Sequence, residues 1–245
     1  AKEGFKPYVT IYSTFLQRAY DQVIHDACIM NLNVVFAIDR AGIVGEDGET
    51  HQGIFDISYL SAIPHMTLLA PRDEKSMHHA LGYSYTHQGP LAIRYPRGSF
   101  FECSDFESLP FEYGKAQLLK EGEGNILLLG YGNGVGKAVE TAAFLQQEGV
   151  DVAIVDLRFA KPLDEVLLAT LAQRYKQWYV FSDSAKIGGV GSLIGQCKEK
   201  MNLHVKIESF EYDDIFITHG AAQLIEKQLG ISAKQLSQRI IKEVY

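Results

Sequence analysis

The chemistry of this chain collects in one stretch, Val34 to Gly53 (VVFAIDRAGIVGEDGETHQG), where Arg40, Glu46, Asp47, Glu49 and His51 ride on a backbone punctuated by Gly42, Gly45, Gly48 and Gly53. A guanidinium grips phosphate through paired N–H bonds. An imidazole near neutrality passes protons to an aldehyde or enolate oxygen, and Asp47 lies four residues from His51 in the same loop. A second arginine, Arg97, closes IRYPRG (93–98) just past another apolar run. Two arginines leaving one sheet edge can hold one phosphate, although spacing alone favours two ion-paired surface arginines. His51 likewise reads as a proton carrier or as a loop histidine bonded to backbone or water. Tyr12, Phe15 and Arg18 sit where a first strand turns into a helix, and periodicity alone assigns Phe15 to the core.

Those side chains need a scaffold, and the apolar runs supply it. Residues 9–12, 34–38, 66–70 and 91–95 have the length and β-branched composition of buried strands. Between them, Phe15, Leu16, Ala19, Tyr20, Val23, Ile24, Ala27 and Cys28 recur at helical spacing up to Asn31, and DISYL suggests a short helix. Another helix, N-capped by Asp73, runs to about His87 with Met77, Ala80, Leu81 and Tyr85 on its buried face. Alternation of strand and helix predicts parallel strands, right-handed crossovers and a ligand edge at the carboxyl ends of the strands. The stretch FFECSDFESLPFEY has neither period and reads as a linker. Strands follow over 125–129, 150–157, 178–182 and 205–210, with helices over 135–147, 162–175 and from Gly188, then two short carboxyl-terminal helices. Pro162 suits a first helical position, with Asp164 and Glu165 at the positive end of the helix dipole. The expected fold class is α/β: two consecutive α/β domains with mainly parallel sheets, over 1–100 and 114–245, joined by a linker over 101–113.

Two glycine clusters imitate cofactor motifs. Gly130, Gly132, Gly134 and Gly136 follow a strand and open a helix, but the G-x-G-x-x-G register fails at Val135 or Lys137, which leaves a tight strand-to-helix turn. Gly188, Gly189 and Gly191 read as close packing at a helix start. Adjacent His78 and His79 cannot face one metal from a helix, and Cys28, Cys103 and Cys197 are too scattered for a metal site or a C-x-x-C motif, as expected of free thiols in a reducing compartment. With 47% hydrophobic and 22% charged residues among 245, the chain has material for a real core. Its net charge of −7 is dispersed, which argues against a nucleic-acid surface and requires any phosphate site to be a local arginine cluster. No apolar run reaches membrane-spanning length and no signal-peptide pattern opens the chain, so no membrane partner is expected and the location expected is cytoplasmic, or the plastid in a plant or alga.

Three motifs in order, YSTFLQRAYDQ (12–22), AIDRAGIVGEDGETHQG (37–53) and IRYPRG (93–98), resemble the carboxyl-terminal part of the transketolase family. Within it they are most similar to the thiamine-diphosphate synthases that condense pyruvate with glyceraldehyde 3-phosphate to 1-deoxy-D-xylulose 5-phosphate and carbon dioxide, feeding isoprenoid and thiamine synthesis. The resemblance covers essentially the whole chain. It implies a pyrimidine-binding-type domain, a transketolase carboxyl-terminal-type domain, a homodimer, and thiamine diphosphate with Mg2+ as cofactors of the full-length enzyme. By resemblance, Arg40 and Arg97 hold the acceptor's phosphate, Asp47 and His51 act near the reacting carbons, and Tyr12, Phe15 and Arg18 wall the aminopyrimidine pocket.

Two features of the family have no counterpart in these residues: the Gly-Asp-Gly…Asn metal motif of its amino-terminal domain and its activating glutamate, which falls just before AKEGFKP. The resemblance therefore implies no metal ligands in this chain, no tight cofactor binding and no catalysis by it alone. It also implies an exposed apolar face for the missing amino-terminal domain or a second copy. Transketolase itself, a 2-keto-acid dehydrogenase β subunit and a non-catalytic dimerisation or regulatory module remain open. A Rossmann-type dehydrogenase is the least supported.

Overall fold

Val35–Asp39 (β2) and Leu91–Arg94 (β4) are near-continuous apolar runs because protein covers both of their faces, as parallel sheets require. In the computed structural model, which describes residues 1–100, 103 and 105–244, they form the middle of a five-stranded sheet with Tyr8–Tyr12 (β1), Thr67–Leu69 (β3) and Phe159–Lys161 (β8), in the order β1-β2-β4-β3-β8. Four strands are parallel; β8 runs antiparallel to β3. The second sheet has the order β10-β9-β6-β7-β5, from Lys206–Tyr212 (β10), Gln177–Ala185 (β9), Ile126–Gly130 (β6), Ala153–Asp156 (β7) and Gln117–Lys120 (β5). Here too only the edge strand, β5, is antiparallel.

The helical run after β1 is broken where one amphipathic helix was expected. Ser13–Leu16 (α1) passes through a 3-10 turn at Gln17–Ala19 into Tyr20–Gln22 (α2) and a π-helical stretch, Val23–Cys28. Leu16, Val23, Ala27 and Cys28 are buried, whereas Phe15, which periodicity placed in the core, is 45% exposed. Asp56–Ser61 (α3) is the short helix of DISYL. Glu74–Thr86 (α4) is capped as expected, with the Asp73 carboxylate accepting from the Ser76 amide at 2.7 Å. Its buried face is narrower than expected: Ala80 is buried, but Leu81 and Tyr85 are exposed, and Ser76 and Ser84 take the inner positions.

In the second half, Asn133–Gln147 (α5), Glu165–Arg174 (α6), Val190–Lys200 (α7), Ala222–Gln228 (α8) and Ala233–Val244 (α9) complete the layers. Pro162 lies outside α6, because Asp164 is the N-cap and its side chain accepts from Leu167 at 3.0 Å. The glycine-rich start of α5 is set by close packing, since a Cβ on Gly134 would stand 2.0 Å from the Phe181 carbonyl oxygen. The expected linker includes residues 101, 102 and 104, which lie outside the described residues; of the rest, Phe111 is buried against β4 and β8.

The halves share one core. A single apolar cluster contains Leu16 of α1 and Ile38 and Leu68 of the first sheet with Leu127, Val155 and Trp178 of the second. Strands β5 and β8 were not anticipated, and β8 carries the chain from the second half into the first sheet. Cys28, Cys103 and Cys197 are buried free thiols. Among the described residues no helix is long and apolar enough to cross a membrane.

Candidate active site

Parallel register brings the carboxyl ends of three strands together. Tyr12 pairs with Asp39, and Ile38 with Arg94, so the segments leaving β1, β2 and β4 emerge side by side. Arg40 takes a left-handed backbone (φ 57°), sparsely populated for a residue with a side chain. Its guanidinium lies 3.9 Å from the Tyr12 ring centroid and donates to Asp39 at 2.6 Å, while its buried Nε has no hydrogen-bond partner. Phe15 stacks on Tyr12 at 5.3 Å with 10° between planes, and the His51 ring meets Phe15 edge-on at 5.3 Å. Arg40, Tyr12, Phe15 and His51 thus form one continuous set of contacts.

The loop that carries His51 is closed at its base. Gly42 and Gly53 exchange both backbone hydrogen bonds at 2.7 Å. Glycine is required at 53 because a Cβ there would lie 2.1 Å from the Arg40 carbonyl oxygen. Just before that closure, His51 Nδ1 lies 2.9 Å from the Thr50 hydroxyl, and Thr14 donates to the Thr50 carbonyl at 2.8 Å. Arg97 reaches the same loop from β4, donating to the Val44 carbonyl at 3.0 Å and pairing with Asp47 at 3.2 Å. Asp47 and His51, paired in the sequence reading, therefore have different neighbours. Arg40 and Arg97 leave adjacent strands on one edge but belong to two contact sets. Arg18 stands apart, exposed on the 3-10 turn.

Beneath the loop is a residue the sequence reading passed over. Arg94, buried to 4%, donates from Nε to Asp56 at 2.9 Å and from Nη2 to its other oxygen at 3.2 Å, while Nη1 bonds Asp183 of β9. Burial opposes its charge, yet the carboxylates of Asp183 and Asp56 hold the guanidinium well above its ordinary range. The available signal was a charged residue ending an otherwise apolar buried run, LAIR, which must be paired. Burial also raises the Tyr95 phenol, with Asp39 adding to the shift.

Between the halves lies a crevice of about 310 Å3, lined by Arg97, Asn133, Lys137, Asp183, Tyr212 and Glu226. Its charges are already matched within the fold: Arg97 by Asp47, Lys137 by Glu226 at 2.6 Å, and Asp183 by Arg94. A separate apolar hollow of about 360 Å3 is bordered by Phe55, Ile187, Ile215 and Phe216, all of them exposed. Among the described residues no three His, Cys, Asp or Glu side chains gather so as to hold a metal ion.

Fold and site together define a transketolase-type module. Residues 1–101 match the transketolase pyrimidine-binding domain and residues 114–236 the transketolase C-terminal domain, and the chain belongs to the transketolase family. Relatives named 1-deoxy-D-xylulose-5-phosphate synthase are 59% identical over 242 residues in Sulfurimonas denitrificans and 57% over 240 residues in Nitratiruptor sp., each match covering 98% of this chain. One from Campylobacter jejuni subsp. doylei is 56% identical over 99% of the chain. The chain spans 39% of the length of these relatives. Among solved structures, one described as a split-gene transketolase, an inactive beta4 tetramer, superposes with TM-score 0.87 at 25% identity over 98% of this chain and 76% of that one. A transketolase from Campylobacter jejuni shares the fold at TM-score 0.72 and 19% identity, over 96% of this chain and 35% of that one.

Proposed function

We propose that this chain supplies the pyrimidine-pocket wall and the acceptor clamp of a thiamine-diphosphate transferase that condenses pyruvate with glyceraldehyde 3-phosphate to 1-deoxy-D-xylulose 5-phosphate and carbon dioxide. What supports the reading is that a stacked aromatic pair with an imidazole against it and two arginines leave the same sheet edge, in a chain 56–59% identical to synthases of that name. The residues suit the cofactor's heterocycle. Phe15 keeps a half-exposed ring in the Tyr12 stack, while the Arg40 Nε, without a partner in the fold, is a donor left for the acceptor's phosphate. Thiamine diphosphate, when bound, supplies the electron sink that decarboxylation of a 2-keto acid needs.

The chain's own side chains do the rest of what is proposed here. The Phe15 and Tyr12 rings exclude water from the reacting carbons, and His51, held by Thr50 and Phe15, moves a proton to or from the aldehyde oxygen. Asp47, 3.2 Å from Arg97, keeps the guanidinium oriented until an acceptor phosphate reaches it. Magnesium and the cofactor's diphosphate are assigned to parts of the enzyme without a counterpart in these residues, and the chain by itself is assigned no turnover. The split-gene transketolase described as an inactive beta4 tetramer supports that assignment, and the apolar hollow is the proposed contact with a second copy. Titration of the chain with inorganic phosphate, followed by NMR of the arginine side chains, tests the clamp. Saturable shifts at Arg40 and Arg97 are expected, with affinity falling about tenfold or more in Arg97→Ala. No response at either arginine would remove the clamp. Turnover by the isolated chain with thiamine diphosphate, magnesium and both substrates would overturn its proposed inactivity.

A further inference from the structure

The loop bearing Asp47 and His51 is not held by the first half alone. Gln52, 4% exposed, uses both ends of its amide. Its Oε1 accepts from the Val44 amide at 2.9 Å, across the loop, and its Nε2 faces the Ile217 and Thr218 carbonyl oxygens at 3.4 and 3.3 Å. This orientation of the amide satisfies all three partners; the flipped one would set oxygen against two carbonyls and nitrogen against an N–H. The segment it reaches joins β10 to α8 and lies directly on the loop backbone. Gly220 donates to the Gly45 carbonyl at 3.3 Å, and a Cβ on Gly45 would lie 2.8 Å from the Gly220 carbonyl oxygen.

Val44 is the link to the site. Its N–H is held by Gln52 and its carbonyl oxygen holds Arg97, which in turn pairs with Asp47. These two groups lie on the adjacent peptide planes that meet at the Val44 Cα, so a displacement of the Val44 backbone shifts both, and what holds Gln52 in place helps to set where the Arg97 guanidinium is held. Resting on the reading of Arg97 as an acceptor clamp, we propose that Gln52 is a positioning residue through which the 213–221 segment of the second half sets the loop and the phosphate affinity of Arg97. It touches no substrate itself.

Two substitutions separate this from a general packing role. Gln52→Ala removes both ends of the bridge. Gln52→Glu keeps the acceptor for Val44 but, when ionised, presents charge to two carbonyl oxygens, and when protonated regains a donor. Amide hydrogen exchange and inorganic phosphate titration of the whole chain read the outcome. In Gln52→Ala, exchange at Val44 and over 217–221 is expected to quicken about tenfold or more, with phosphate affinity falling by a similar factor, while amides of β6 stay protected. In Gln52→Glu, exchange over 217–221 should quicken near neutral pH and slow again as the new carboxyl protonates, with phosphate affinity following after correction for phosphate's own ionisation. Failure of exchange to change in either variant overturns the bridge, as does loss of β6 protection in Gln52→Ala without acid recovery in Gln52→Glu. Faster exchange with undiminished phosphate affinity overturns the positioning role. If wild-type chain binds no phosphate, the clamp falls and the positioning role with it, while exchange alone still shows whether the bridge exists, so the two failures are distinguishable.

Discussion

Arg94→Met tests whether the ion cluster under the loop pins the two halves together. Methionine fills much of the arginine stem's volume but leaves Asp56, at 1% exposure, and the mostly buried Asp183 without a cation. Removing one member of a buried ion pair strands the other, at a cost of about 3–5 kcal/mol. For a chain of this size each kcal/mol lowers the melting temperature by roughly 2–4 °C, so a fall of roughly 6–20 °C is expected. Urea unfolding should show the loss as a lower midpoint at nearly unchanged m-value. Arg94→Lys keeps a charge but loses the two-pronged grip on Asp56, and is expected to fall between wild type and Arg94→Met. Combined with Asp183→Asn, Arg94→Met should be non-additive by more than about 0.5 kcal/mol. A change under about 1 kcal/mol for Arg94→Met, or strict additivity with Asp183→Asn, would refute the claim that this cluster joins the halves.

A second prediction concerns Glu211, whose buried carboxyl is pushed up to about 7 by desolvation, against hydrogen bonds from Ser209, Ser184 and the Gly191 amide. Because its folded value exceeds its unfolded one, its contribution is fully present below about pH 4.5 and is lost as pH rises through about 7. The stability difference between wild type and Glu211→Gln should thus drift by up to about 3 kcal/mol across that window, and a flat difference would show that the carboxyl titrates normally. Gly134→Ala is expected to destabilise by about 1–3 kcal/mol or to block folding, since the new methyl would collide with the Phe181 carbonyl; a wild-type urea midpoint would mean that the turn can move.

Much of the architecture was legible in local pattern. Continuous apolar runs marked β2, β4 and β6, the helices over 135–147 and from Gly188 were expected where α5 and α7 lie, and Asp73 announced the start of α4, because burial on two faces and an N-cap each leave a signature within a few residues. The gathering of Arg40, His51 and Arg97 near one edge also follows from the order of elements, since parallel strands deliver their exits to the same side. Phe15 is the instructive miss. Its spacing matches a core position, but the helix breaks into 3-10 and π turns within a few residues, and the register that periodicity assumes is lost.

What tertiary structure alone decided is which groups meet. Strand β8 is three residues long and pairs with β3 from far along the chain, so no local period could reveal it. The pairing of Arg97 with Asp47 and not with a neighbour, the sharing of Arg94 between Asp56 and Asp183, and the reach of Gln52 to Ile217 and Thr218 all join residues whose separation in sequence carries no information about distance. Local sequence determined the elements and which residue types crowd the ligand edge, because backbone sterics and burial act over one or two turns. The partners of each charge were fixed only when the two sheets packed against one core, because a buried ion must find whichever counter-charge the fold brings within reach.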